Sequence, residues 1–180
     1  MISACRIVSI KSLLSLLPTE SLSWSNTVSG IEGGTEVVQR SCVSVLVVDD
    51  CEQWRRAVCA TLRTKLGLHV IEEARDGLEA LQRAADLRPE LVTLDIGLPR
   101  LNGIEVARQI RKFSPSSRVV FLTENHSCDF AEAAFESGAR SYIVKSEFAT
   151  EFIPAIEAVL EGRPALGAWL PALVVEPQTL

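Results

Sequence analysis

The chain has 180 residues, a formal net charge of −5, and 47% hydrophobic against 23% charged residues, enough to bury the core of one ordinary domain with length to spare at the ends. The acidic balance argues against the basic face of a nucleic-acid binder, and no apolar run reaches the roughly 18 to 20 residues that cross a bilayer. Five cysteines, at positions 5, 42, 51, 59 and 128, are odd in number and lack C-x-x-C spacing, which points to a reduced, cytosolic protein rather than a disulfide scaffold or zinc site.

Residues 1–42 are rich in Ser, Thr and Gly, and "SGIEGGTE" has the composition of a linker. They are expected to form a disordered extension. Leu13, Leu14, Leu16 and Leu17 before Pro18 allow a short helix there. A secretory leader is the rival reading, but its apolar stretch is short and no A-x-A cleavage site follows. A later translation start, for example at Val43, is a further alternative.

From residue 43 to 161 two periodicities alternate. "VSVLVV", "HVIEEA", "ELVTLD", "RVVFLT" and "SYIVK" are short, β-branched strand candidates. Helical spacing separates them: Trp54, Val58, Leu62 and Leu66 in the first helix, Val106, Ile110 and Phe113 in the third, Phe148, Phe152, Ile156 and Val159 in the fifth. Five strands alternating with five helices predict a parallel sheet covered on both faces, with the more polar "HVIEEA" at an edge. Residues 162–180, "GRPALGAWLPALVVEPQTL", contain three prolines and are read as a tail whose apolar residues lie against the domain.

Ligands of open α/β sheets bind beyond the carboxyl ends of the strands. Asp49 and Asp50 end the first strand, Asp95 the third, Thr123 the fourth and Lys145 the fifth. In a doubly wound order 2-1-3-4-5 these four strands are neighbours, so three carboxylates, one hydroxyl and one ammonium share a crevice. Glu72 and Glu73, on the edge strand, sit further off. Clustered acids favour a hard divalent cation. An aspartate can accept a phosphoryl group as an acyl phosphate, while a metal and a lysine neutralise the transferred oxygens. Asp49 and Asp50 also suit the N-cap of the first helix.

The stretches "VLVVDD", "LVTLDIGLPRLNG", "FLTEN" and "GARSYIVKS" stand in the order and spacing of the receiver domain of bacterial two-component response regulators, which residues 43–161 resemble. The wording is nearest the branch that usually carries a helix-turn-helix output domain. The resemblance implies a flavodoxin-like fold and makes Asp95 the phosphoacceptor. It implies Mg²⁺ (or Mn²⁺) on Asp50, Asp95 and the Gly97 carbonyl, with Asp49 assisting through water. Lys145 and Thr123 would contact the phosphoryl group, and Thr123 would move inward and draw Tyr142 from an exposed to a buried rotamer. Expected partners are a sensor histidine kinase or phosphotransfer protein and an unnamed downstream protein, with a homodimer allowed. Neither DNA nor membrane contact is expected, and no chemistry beyond the protein's own phosphorylation and dephosphorylation.

Ser146 follows the lysine where many receivers have proline, as that branch often does. Gly97 and Asn125, two residues beyond Asp95 and Thr123, offer no acid or base to attacking water. Residues 162–180 are expected to form a short tail rather than an output domain. A haloacid dehalogenase-type phosphatase would need D-x-D-x-[ST] after a strand, and a dinucleotide enzyme G-x-G-x-x-G; neither is present. The competing functional reading is a receiver-like interaction module that works without phosphorylation. Cys51 beside the acids is read as inert. His69 and His126 have no second ligand at metal spacing, and Trp24 and Trp169 in the two tails could anchor a partner.

Overall fold

The computed structural model describes residues 42–65 and 67–167. The expected N-terminal helix, Cys5, Trp24, Leu66 and Trp169 lie outside the described residues. Strands β1 (Val43–Val48), β2 (Leu68–Ala74), β3 (Leu91–Leu94), β4 (Arg118–Thr123), β5 (Ser141–Val144) and β6 (Ala165–Leu166) alternate with helices α1 (Glu52–Arg63), α2 (Gly77–Leu87), α3 (Gly103–Phe113), α4 (Cys128–Glu136) and α5 (Phe148–Leu160). The sheet is wholly parallel, in the order β2-β1-β3-β4-β5-β6. The doubly wound order 2-1-3-4-5, the five helices and the edge position of "HVIEEA" are as the sequence predicts.

The strand count differs. Ala165 and Leu166, expected in a tail, pair with Ser141 and Tyr142 as a sixth strand. The Ala165 N–H donates to the Arg140 carbonyl at 3.0 Å. Its two side chains pack toward opposite faces of the sheet, Leu166 with the cluster that contains Tyr142 and Ala165 with the cluster that contains Ile143. Two residues are too few to show a period of two, so no sequence pattern announced this strand.

Side chains alternate cleanly between two cores, as the pleat requires. Val43, Val45, Val47, Leu91, Val120, Leu122 and Ile143 pack against Val58, Cys59 and Leu62 of α1 and Phe152, Ile156 and Val159 of α5. Leu46, Val48, Val92, Leu94, Phe121, Tyr142 and Val144 face α2, α3 and α4. Leu62, Phe152 and Ile156 are fully buried, and each contributes about 1.5–3 kcal/mol relative to exposure. Residues following the strands inherit this phase. Asp49, Asp95 and Lys145 continue the α1/α5 side, while Thr123 is in phase with Tyr142 on the other.

Local signals start the helices that flank the crevice. Asp76 caps α2 by accepting from the Leu78 and Glu79 amides, and Asn102 caps α3 by accepting from Glu105. Two glycines allow close passage of the β3–α3 loop. A Cβ on Gly103 would lie 2.0 Å from the Asp95 carbonyl oxygen, and one on Gly77 would lie 2.0 Å from that of Leu101. Among the described residues no helix is long and apolar enough to cross a membrane.

Candidate functional site

Register brings the polar strand ends together. Val48 pairs with Leu94, and Thr123 pairs with Val144, so Asp49 and Asp95 leave adjacent strands side by side and Lys145 follows beside Thr123. The Asp95 N–H donates to the Val48 carbonyl at 2.9 Å, extending the β1–β3 ladder into the site. Lys145 directly follows β5, where the sequence places it, and opens a short 3₁₀ turn, Lys145–Glu147.

The Lys145 ammonium lies 2.7 Å from Asp49 Oδ2 and 3.6 Å from Asp95 Oδ2, with all three side chains at least nine-tenths buried. Burial pushes the Asp49 carboxyl above its usual range and the Asp95 charge adds to this. The hydrogen bond and charge of Lys145 and the Cys51 amide, donating at 2.9 Å, oppose it. The Lys145 ammonium therefore faces two buried carboxylates. Carboxylate oxygens of Asp49, Asp50 and Asp95 lie within 4.8 Å of one another, and Asp50 is exposed where the other two are buried. Asp95 Oδ1 is buried without a hydrogen-bond partner. An unsatisfied buried carboxylate oxygen beside an exposed acid fits a hard divalent cation and its oxygen ligands. Gly97 stands against this carboxylate, and a Cβ added to it would lie 3.5 Å from Asp95 Oδ2.

Thr123 is buried at the end of β4, and its hydroxyl accepts the Asn125 N–H at 3.4 Å. Tyr142 is fully buried, tilted against Phe121 with ring centroids 6.4 Å apart, and its hydroxyl donates to the Asn125 carbonyl at 2.9 Å. Burial, then the Asp95 charge, pushes this phenol well above its ordinary range. Asn125 thus touches both Thr123 and Tyr142.

Neither acid is the N-cap of α1. Cys51 holds that position without a side-chain bond, while Asp49 accepts its amide. Cys51 is exposed, and Cys42, Cys51, Cys59 and Cys128 are all free thiols. Glu73 sits apart from the acids, paired with Arg55 at 3.3 Å. His69 is exposed, and the His126 ring lies 3.4 Å from the Ser146 hydroxyl.

Three supports escaped the sequence reading. Arg55 Nη1 donates to the carbonyls of Asp49 at 2.9 Å and Asp50 at 3.2 Å, bracing the turn that presents both acids. Asp76 binds Arg100, which stands at φ +65°, tying the loop after Asp95 to the start of α2. Trp54 lies under the Lys145 ammonium, 5.3 Å from its ring centroid. Arg55 had one usable signal, its place one helical turn beyond the acids.

Residues 45–157 match the family described as the response regulator receiver domain. The chain is 33% identical over 124 residues to the transcriptional regulatory protein LiaR of Bacillus subtilis, covering 69% of this chain and 59% of LiaR. It is 38% identical over 118 residues to the transcription regulator BvgA of Bordetella pertussis, covering 66% of this chain and 56% of BvgA. The chain therefore spans little more than half the length of these relatives. A LuxR-family two-component response regulator from Aurantimonas superposes with a TM-score of 0.71 at 33% identity, over 74% of this chain and 96% of that one.

Proposed function

Because this chain belongs to the response regulator receiver domain family, we propose that Asp95 accepts a phosphoryl group from a sensor histidine kinase or phosphotransfer protein and thereby switches a protein-interaction surface. The observation that carries the reading is the Lys145 ammonium, within reach of both Asp49 and Asp95, beside a buried Asp95 oxygen with no partner. A carboxylate oxygen of Asp95 attacks phosphorus, an O–P bond forms, the donor's P–N bond breaks, and the released imidazole nitrogen takes a proton. Lys145 sits where it neutralises charge on the transferred oxygens, and the Thr123 hydroxyl donates to one of them.

Asp49, Asp50, Asp95 and the Gly97 carbonyl would hold Mg²⁺ or Mn²⁺. When bound, the cation supplies neutralising charge to the acids and phosphoryl oxygens. The switch runs through Thr123 and Tyr142, joined at Asn125. The protein acts in the cytoplasm by contact with other proteins, a homodimer being allowed, and turns over no separate substrate. The transcriptional roles stated in the names of LiaR and BvgA are not carried to this chain, and neither DNA nor membrane contact is proposed.

The test is intact-mass measurement after incubation with Mg²⁺ and a small phosphodonor. Wild type is expected to gain one phosphoryl group, and neither Asp95→Ala nor metal-depleted protein should. No gain on wild type, or an equal gain on Asp95→Ala, overturns the reading in favour of an interaction module that works without phosphorylation.

A further inference from the structure

A buried ammonium has three N–H donors to place, and burying one unpartnered is costly. Lys145 spends one on Asp49 at 2.7 Å and leans toward Asp95 at 3.6 Å. The remaining direction meets the ring of Trp54, whose centroid is 5.3 Å from Nζ, within the range of a cation–π contact. That ring is itself held. Phe148 packs edge-on against Trp54 with centroids 5.6 Å apart, and Phe148 lies 4.7 Å from Phe152, which is fully buried in the α1/α5 core. An aromatic column thus runs from the packed interior of α5 across to α1 and ends beneath the lysine.

We propose that Trp54 is a positioning residue for phosphoryl acceptance, fixing the Lys145 ammonium over the crevice through its ring face. The assignment rests on the function proposed above. The chemistry favours a ring at this place over a fourth acid. A carboxylate would add negative charge to a site that already holds three and would bind the lysine too firmly to release it. The ring attracts the ammonium without charge or a directional acceptor. Lys145 can then exchange Asp49 for phosphoryl oxygens while one side of it stays fixed.

Two measurements test this. In the first, the ε-methylene protons of Lys145 are assigned by NMR in wild type and Trp54→Leu. Ring-current displacement is expected in wild type and should be lost in the variant. In the second, the rate of phosphoryl gain from a small donor is followed by intact mass. Trp54→Leu should be about 5- to 10-fold slower than wild type, and Trp54→Phe, which keeps a ring, should stay within about 2-fold. In a Lys145→Met background, Trp54→Leu should change the residual rate by less than about 2-fold, because the ring then has nothing to hold. Where Trp54→Leu fails to fold, Trp54→Phe and Trp54→Tyr replace it, and both must retain the displaced lysine signals. An undisplaced lysine signal in wild type, a rate for Trp54→Phe as low as for Trp54→Leu, or an undiminished effect without Lys145 overturns the assignment. If wild type gains no phosphoryl group, the proposed function fails, and the NMR comparison still decides whether Trp54 holds Lys145.

Discussion

Lys145 and Asp49 form an ion pair of 2.7 Å in which each side chain is about 5% exposed or less. Such a pair gains little over an apolar replacement of both partners, but losing one partner strands the other. Its value here is positional, because the same ammonium reaches toward Asp95.

Lys145→Met should therefore destabilise the metal-free protein by on the order of 3 kcal/mol, since Asp49 and Asp95 then face each other without a cation. Millimolar Mg²⁺ should recover part of this loss, because it adds charge where the lysine removed it. Urea denaturation of wild type and variant, each with and without Mg²⁺, reads both effects. Equal stability in metal-free buffer would contradict the pairing.

The clamp between Asp76 and Arg100 predicts a pH dependence. Burial alone would raise the Asp76 carboxyl, but the Glu79 and Leu78 amides and the Arg100 guanidinium outweigh it and hold it below its ordinary 3.8. The unfolded chain then binds the proton more readily, so stability rises with pH across this window. The contribution is complete above 3.8 and is lost as pH falls through the lower folded value. The difference in denaturation midpoint between wild type and Asp76→Asn should shrink as pH is taken from 6 to about 3. A difference that stays constant would show that the charge of Asp76 contributes nothing.

Gly103→Ala should cost about 2–3 kcal/mol, because its Cβ would lie 2.0 Å from the Asp95 carbonyl oxygen, a backbone atom that cannot rotate away. The strain falls on the residue proposed to carry the phosphoryl group, so uptake should slow as well. Denaturation and intact-mass kinetics on one preparation check both.

Cysteine reactivity should divide by burial. The Cys59 thiol lies in the α1 core, where burial first and Glu73 second push it up to about 11. At pH 8 iodoacetamide should label exposed Cys42 and Cys51 within minutes and leave Cys59 unlabelled until denaturant is added. Peptide mapping after timed quenching gives the order, and early labelling of Cys59 would contradict its placement.

Much of this protein was legible along the chain. β-branched runs ending on Asp49, Asp95, Thr123 and Lys145 state both the strands and their functional ends, because a period of two and a charge at the end of an apolar run are properties of neighbours in sequence. The i+4 spacing of Phe148, Phe152 and Ile156 states the face α5 buries for the same reason.

Other features depended on distances between strands and helices that no local pattern encodes. Whether Lys145 bonds Asp49 or Asp95 more closely is a matter of sheet register and rotamer, and the structure favours Asp49. Trp54 reads as another apolar position of α1 until folding sets it beneath an ammonium 91 residues away. Arg100 meets Asp76 only because Gly77 lets the β3–α3 loop approach α2. The sixth strand exists because β5 had a free edge for Ala165 and Leu166 to satisfy. Sequence alone determined which residues end the strands and which faces are apolar. Tertiary structure decided which charged groups share a proton's reach and which ring holds the lysine, since Coulomb and cation–π forces act over a few ångströms of space rather than along the chain.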